Sequence, residues 1–253
     1  MLSQFLTEEL FTFLLIFCRI GSAIMVLPGF GENYVSSRFR LMFALVFSLL
    51  LTPLMTNMPP VPQQVAPLVV LIIGEILVGL FLGILARTII SATHIAGTII
   101  AMQSSLASAL VQDMAQIQGQ STIISNLLGI TALVLIFAFD LHHLMLSGLV
   151  GSYQTFLPGE FPMVEDMTNN LTTAMNGAFT AALQISAPHI VMGVIIYLGA
   201  GIVARLVPNI QVFFLLMSPQ IMISIFVLMI TFSAIMMWYV GHFRDSLGPL
   251  GAG

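Results

Sequence analysis

PLVVLIIGEILVGLFLGILARTII, residues 67–90, decides the fold class. It carries two charges, Glu75 and Arg87, in an otherwise apolar run. Spanning a bilayer takes about 20 predominantly apolar residues in a helix. The run is long enough, and it reads as a membrane helix. The rest of the chain has the same character. Of 253 residues, 58% are hydrophobic and 6% charged, and the mean hydropathy is +1.08. A soluble domain of this size has too few polar residues to cover so much apolar side chain. The composition is that of an all-α membrane protein of helical hairpins, kinked at prolines.

Outward from that stretch, further apolar runs extend from about Leu10 to Phe30, Leu41 to Met58, Thr122 to about Leu149, Leu171 to Arg205 and Val212 to Tyr239. Breaks are expected at Pro53, Pro188 and Pro219, and the NMPPVPQQ segment marks a hard turn. Six hydrophobic helices result, with a seventh possible around residues 91–111. Residues 157–170, LPGEFPMVEDMTNN, form the longest plainly polar stretch. The arginines place the 31–40 loop, Arg87 and Arg205 on one side of the membrane and the acidic 160–166 loop on the other. Arg244 fits this arrangement poorly.

All six basic residues are arginines: Arg19, Arg38, Arg40, Arg87, Arg205 and Arg244. Without lysine there is neither a P-loop nor a Schiff-base cofactor. A net charge of -4 argues against nucleic acid, which needs a dense basic surface. The lone Cys18 reads as a small buried hydrophobe. The N-terminus carries Glu8 and Glu9 rather than a basic region, so no cleavable signal peptide is expected.

Arg19, Glu75, Arg87 and Asp140 lie within or against apolar runs. Each costs on the order of 2.5–3.5 kcal/mol or more at a bilayer centre, so they are expected to face protein or water. In GEILVGLFLGILAR, Glu75, Gly79, Gly83 and Arg87 recur every four residues and form one stripe of a helix. The two glycines allow close approach of a second backbone. This is either an ordinary packing groove or a seam between subunits. Glu75 and Arg87 are separated by roughly 18 Å of helix rise and cannot pair with each other.

Polar groups concentrate in the middle of the chain. Gln112, Asp113, Gln116, Gln118 and Gln120 follow a helix rich in small residues, with no cation beside them. Unpaired amides in hydrocarbon cost several kcal/mol each. The segment is therefore either a solvated loop or one that lines or blocks an aqueous path. Its position between two long apolar elements favours the second. Met102 and Met114 supply adaptable bulk there, and Gly119 allows the backbone to bend. Asp140, His142 and His143 suggest a metal cluster. On a helix, though, the two histidines point about 100° apart, and further ligands are lacking. Interface histidines are expected instead, with no metal and no cofactor. The absence of HExxH, GxSxG and GxGD speaks against an intramembrane enzyme. A small-solute transporter would fit broken helices, but the two halves show no self-similarity.

Five stretches in order carry a resemblance: CRIGSAIMVLPGFG, GEILVGLFLG, AGTIIAMQSSLASALVQD, FDLHHLMLSGLVGSYQTFLPGE and ARLVPNIQVFFLL. Together they resemble the FliR family of the type III secretion export gate, over nearly the whole chain. The narrowest pattern is Arg205, Pro208, Asn209, Gln211 and Phe213. The resemblance implies a bacterial inner-membrane component of the flagellar basal body, assembled with FliP and FliQ into a helical ring around a channel. FlhB is a further partner, unfolded proteins are the cargo, and an injectisome gate is the alternative. It implies a FliP-like part over residues 1–185, with a plug-like loop at about 106–122, and a FliQ-like hairpin over residues 186–253. Met102, Gln103, Gln112, Asp113, Met114, Gln116, Gln118 and Gln120 would line or plug the channel. Glu75, Gly79, Gly83, Arg87, Arg205, Pro208 and Asn209 would lie at subunit interfaces. Where many members have glycine and proline, this chain has Ser104 and Met114.

Overall fold

A computed structural model describes residues 2–55, 58–105, 123–160, 162–206 and 212–251. Among them are seven α-helices and no strand. The helices are α1 (Leu2–Val26), α2 (Ser37–Leu51), α3 (Val65–Gln103), α4 (Ile123–Ala138), α5 (Leu141–Thr155), α6 (Val164–Leu206) and α7 (Val212–Gly251). A short 3-10 turn, Thr52–Leu54, follows α2 and contains Pro53. Five helices are long and apolar enough to cross a membrane, or six spans if the bent pair α4 and α5 counts as one.

The chain forms two compact units. The first holds Met1–Ile89, Phe137–Met175 and Arg244–Gly253; the second holds Ile90–Ile136 and Asn176–Phe243. The boundaries between units fall inside α3, α4, α6 and α7. The 185/186 division falls inside α6, within the second unit.

In the first unit, α1 buries Leu15, Ile16, Ile20, Ala23 and Ile24, a stripe at helical spacing. Arg19 lies in the middle of it. On α3, Val78, Leu82, Leu85, Ala86 and Ile89 form the matching stripe, with Glu75 at its head. Helix α5 adds Leu141, Met145, Leu149 and Tyr153. Pro28 follows the end of α1, and Gly29 turns the chain at φ 85°. Ser36 caps α2, its hydroxyl accepting from the Phe39 N–H at 3.3 Å. Arg40 holds the intervening loop by donating to the carbonyl of Val35 at 3.2 Å.

In the second unit, small residues bring helices together. Ala92, Ala96 and Ile100 of α3 and Leu128, Ala132 and Ile136 of α4 are fully enclosed. A Cβ on Gly97 would run into the backbone of Ser125, and one on Gly129 into the ring of His94. Nε2 of His189 on α6 donates to the carbonyl of Ser224 on α7 at 3.3 Å.

Several sequence expectations are corrected. Residues 67–90 and the start of the 91–111 region are one helix, because nothing between them breaks helical hydrogen bonding. The run Thr122–Leu149 is two helices bent by 76°, because Asp140 adopts the left-handed conformation at φ 57°. Pro188 and Pro219 do not interrupt α6 and α7. A proline removes a single intrahelical bond, and in a long apolar helix the neighbouring turns hold. The polar 157–170 stretch is helical from Val164, with Glu165 and Asp166 in the first turn, where the helix dipole favours anions. Cys18 is half-buried rather than enclosed.

Candidate functional site

Arg19 is 1% exposed and Glu75 4%. Burying either charge alone would be prohibitive, so the two must be paired and hydrogen-bonded. Arg19 Nε donates to Glu75 Oε2 at 2.5 Å, and Nη2 to Oε1 at 3.0 Å. This is the two-pronged arrangement that a planar guanidinium allows and an ammonium does not. Nη2 also donates to the carbonyl of Phe156 at 3.0 Å, and Nη1 reaches Ser152 Oγ at 3.3 Å. The guanidinium carbon sits 4.0 Å from the centre of the Tyr153 ring, a cation–π contact in a dry setting. One arginine thus ties α1 to α3 and to the C-terminal end of α5.

The glycine stripe is filled by the same helix pair. A Cβ on Gly79 would collide with the carbonyl of Arg19 and with Ser22 Oγ. On Gly83 it would lie 2.9 Å from Val26 Cβ and 3.0 Å from the carbonyl of Ala23. The seam therefore joins α3 to α1 of the same chain, and with Glu75 it is occupied before any second subunit arrives. Arg87 is half-exposed, with Nη2 3.7 Å from Glu32 Oε1 and Nη1 donating to the Val26 carbonyl at 3.4 Å. Arg205 is exposed in the last turn of α6, where a cation suits the helix terminus.

A second node closes the end of α3. The carbonyl of Gln103 belongs to the last turn and has no intrahelical donor. Gln220 Nε2, on α7, supplies one at 2.6 Å, and lies 3.4 Å from the Tyr197 hydroxyl. A Cβ on Gly193 would meet the Gln103 side chain, so that glycine makes the space. The Ser104 hydroxyl turns back to the Ile100 carbonyl, and Ser105 stands at φ 59°. Met102 is 62% exposed beside this node.

Of the residues expected to line or plug a path, Met102 and Gln103 are therefore placed at one helix end. Gln112, Asp113, Met114, Gln116, Gln118 and Gln120 lie outside the described residues, as do Pro208 and Asn209. Sequence reasoning missed the Arg19–Glu75 pairing and the roles of Ser152, Tyr153, Phe156, Gln220 and Tyr197. The available signal was two opposite charges deep in long apolar runs, tolerable only together. The lone amide of Gln220, directly after a proline in an apolar helix, was a second.

Asp140 and His143 are exposed at the α4–α5 bend. The rings of His142 and His143 lie close, with centroids 4.1 Å apart, although helical spacing alone turns them away from each other. Both fall in the first turn of α5 just after the bend, and His142 stacks on Phe137 across it.

Residues 10–246 match the family described as bacterial export proteins, family 1. The chain is similar to a flagellar biosynthetic protein FliR of Caulobacter vibrioides, 32% identical over 92% of this chain and 93% of that protein. A Bacillus subtilis protein of the same name is 32% identical over 88% of this chain and 86% of its own length. The Escherichia coli one is 27% identical over 77% and 74%.

Proposed function

Because the chain belongs to family 1 of the bacterial export proteins, we propose that it is a subunit of the flagellar type III protein export gate. The observation that carries this reading is its likeness, over nearly its whole length, to relatives named flagellar biosynthetic proteins. The same names favour a flagellar gate over an injectisome gate. The gate sits in the bacterial inner membrane at the flagellar basal body. The chain forms part of the wall of a channel for unfolded flagellar proteins and performs no covalent chemistry. FliP and FliQ complete the ring with it, and FlhB joins them. Residues 1–185 take the FliP-like place and residues 186–253 the FliQ-like one.

Within that assembly the polar segment at about 106–122 contributes to the closure, with Met102 and Gln103 at its base. The physical support is the cost argument: four glutamines and an aspartate without a cation are tolerable beside water and costly in hydrocarbon. Contacts to neighbouring subunits fall to Arg87, Arg205, Pro208 and Asn209. Glu75, Gly79 and Gly83 already have partners within the chain.

The experiment is purification of the tagged full chain from inner membranes in mild detergent. A large complex containing two other small hydrophobic proteins is expected, together with loss of flagella when the chain is deleted. A solitary chain from cells that are exporting flagellar proteins overturns the reading.

A further inference from the structure

At the bend between α4 and α5, Asp140, His142 and His143 each offer one ligand atom, and these atoms lie within 4.8 Å of one another. None of the three takes part in the ion pair or the Gln103 node. We propose that they form a binding site for a divalent transition-metal ion, a role independent of the export reading.

Each side chain is prepared for coordination rather than committed elsewhere. Asp140 is the N-cap residue of α5, yet its carboxylate caps no backbone N–H. Its Oδ1 is 3.8 Å from His143 Nδ1, too far for a hydrogen bond but close enough to share a cation. The His142 ring stacks on Phe137, with centroids 5.0 Å apart, and lies tilted against His143 at 4.1 Å, which limits its rotation. Its Nδ1 is buried and has no hydrogen-bond partner. Such a group is unfavourable unless something binds it, and a bound ion is one partner that would relieve it.

The donor set selects the metal class. Two imidazoles and one carboxylate suit zinc, copper, nickel or cobalt, whereas calcium and magnesium want six or more oxygens. Bonds of about 2.0–2.1 Å at tetrahedral angles require ligand atoms about 3.4 Å apart. Closing the observed spacing to that takes side-chain rotation, for which Asp140 and His143, 77% and 71% exposed, have room. The N-terminal end of α5 carries roughly half a positive charge, which opposes a cation. The full negative charge of the Asp140 carboxylate exceeds it. The fourth tetrahedral position is left to water.

The test uses the full chain in detergent, carrying an affinity tag without histidines and stripped with chelator. Zinc is titrated by calorimetry and cobalt by visible absorption. One ion per chain is expected, with a tetrahedral cobalt spectrum. Asp140→Asn and His143→Gln should each weaken zinc binding by roughly tenfold or more, no less than a supporting residue at a metal site does. Both side chains are exposed, and unchanged circular dichroism confirms the fold of the variants. Separately, zinc should protect the wild-type His142–His143 peptide from diethyl pyrocarbonate. Wild-type binding no tighter than that of the Asp140→Asn/His143→Gln double variant, or acylation indifferent to zinc, overturns the proposal.

Discussion

Replacing Arg19 with methionine keeps an unbranched apolar stem in the core of the first unit and removes every donor of the guanidinium. Glu75, 4% exposed, then loses both bonds to its carboxylate, at 2.5 and 3.0 Å. The Phe156 carbonyl loses a donor too, while Ser152 still donates to Leu149 at 2.7 Å. Breaking a buried pair by removing one partner costs about 3–5 kcal/mol, because the other charge stays buried and uncompensated. Every 1.4 kcal/mol is tenfold, so the folded population should fall by roughly two to three and a half orders of magnitude. A denatured state that stays helical in a micelle finds partial partners for Glu75, which places the result toward the lower end. Glu75→Met should cost a similar amount for the opposite reason, stranding the guanidinium. The double variant removes both charges and should cost no more than either single one, since apolar replacements of similar volume are often neutral. The assay is equilibrium unfolding of the detergent-solubilised chain in graded dodecyl sulfate, followed by circular dichroism and analysed as a double-mutant cycle. Single variants within about 1 kcal/mol of wild type, the range of exposed pairs, would refute the reasoning. So would additive costs in the double variant.

Gly79→Leu and Gly83→Leu should abolish monodisperse protein on gel filtration even without partner proteins, since the seam they wedge open lies within the chain. Gly177→Ala, with nothing within 4 Å of its Cβ position, should stay folded and gain up to about 1 kcal/mol of helix propensity in thermal melts. Gln220→Leu should leave the Gln103 carbonyl without its donor, raising amide exchange around residues 100–105 at a cost of about 1–3 kcal/mol. Unchanged exchange there would remove the capping role. Shortening 112–120 should leave the complex assembled and make it leaky to ions in conductance measurements; a tight gate would show that the segment is not a closure.

How far the chain is legible depends on whether a feature is local. The all-helical class follows from the long apolar runs alone, and the rise per residue already separates Glu75 from Arg87. Which cation Glu75 meets is not local: Arg19 is 56 positions away, and Arg87 is equally cationic. The bend at Asp140 has a faint signal, since aspartate tolerates the left-handed region better than most residues, but nothing in FDLHH demands it. Proline misleads in the other direction. Pro188 and Pro219 sit in helices whose remaining bonds and packing outweigh one missing N–H. The Gln103–Gln220 node depends on two helices meeting, which periodicity does not encode.

The lengths of the long helices bear on whether the chain works alone. The candidate span of α7, Leu215–Gly248, is 34 residues, but its last turns carry His242, Arg244 and Asp245, and the apolar run 215–240 is about 39 Å of helix. A hydrocarbon core is about 30 Å thick. Fitting that apolar run into lipid by tilt requires about 40° from the bilayer normal, the upper end of the usual 0–40°. An upright α7 therefore leaves about 9 Å of apolar helix outside the hydrocarbon, and Phe226, Met229 and Ile230 are 64%, 75% and 64% exposed within the chain. Water is an unfavourable neighbour for such a surface, and lipid reaches all of it only near that tilt. At a smaller tilt the proposed ring of subunits would cover the remainder. Carbene labelling from a photoactivatable lipid checks this. In native membranes it should mark only part of α7, and in the isolated chain in detergent a water-borne probe should reach the rest. Uniform labelling of residues 215–240 from lipid in native membranes would show that the bilayer suffices and that the length argument for partner subunits fails.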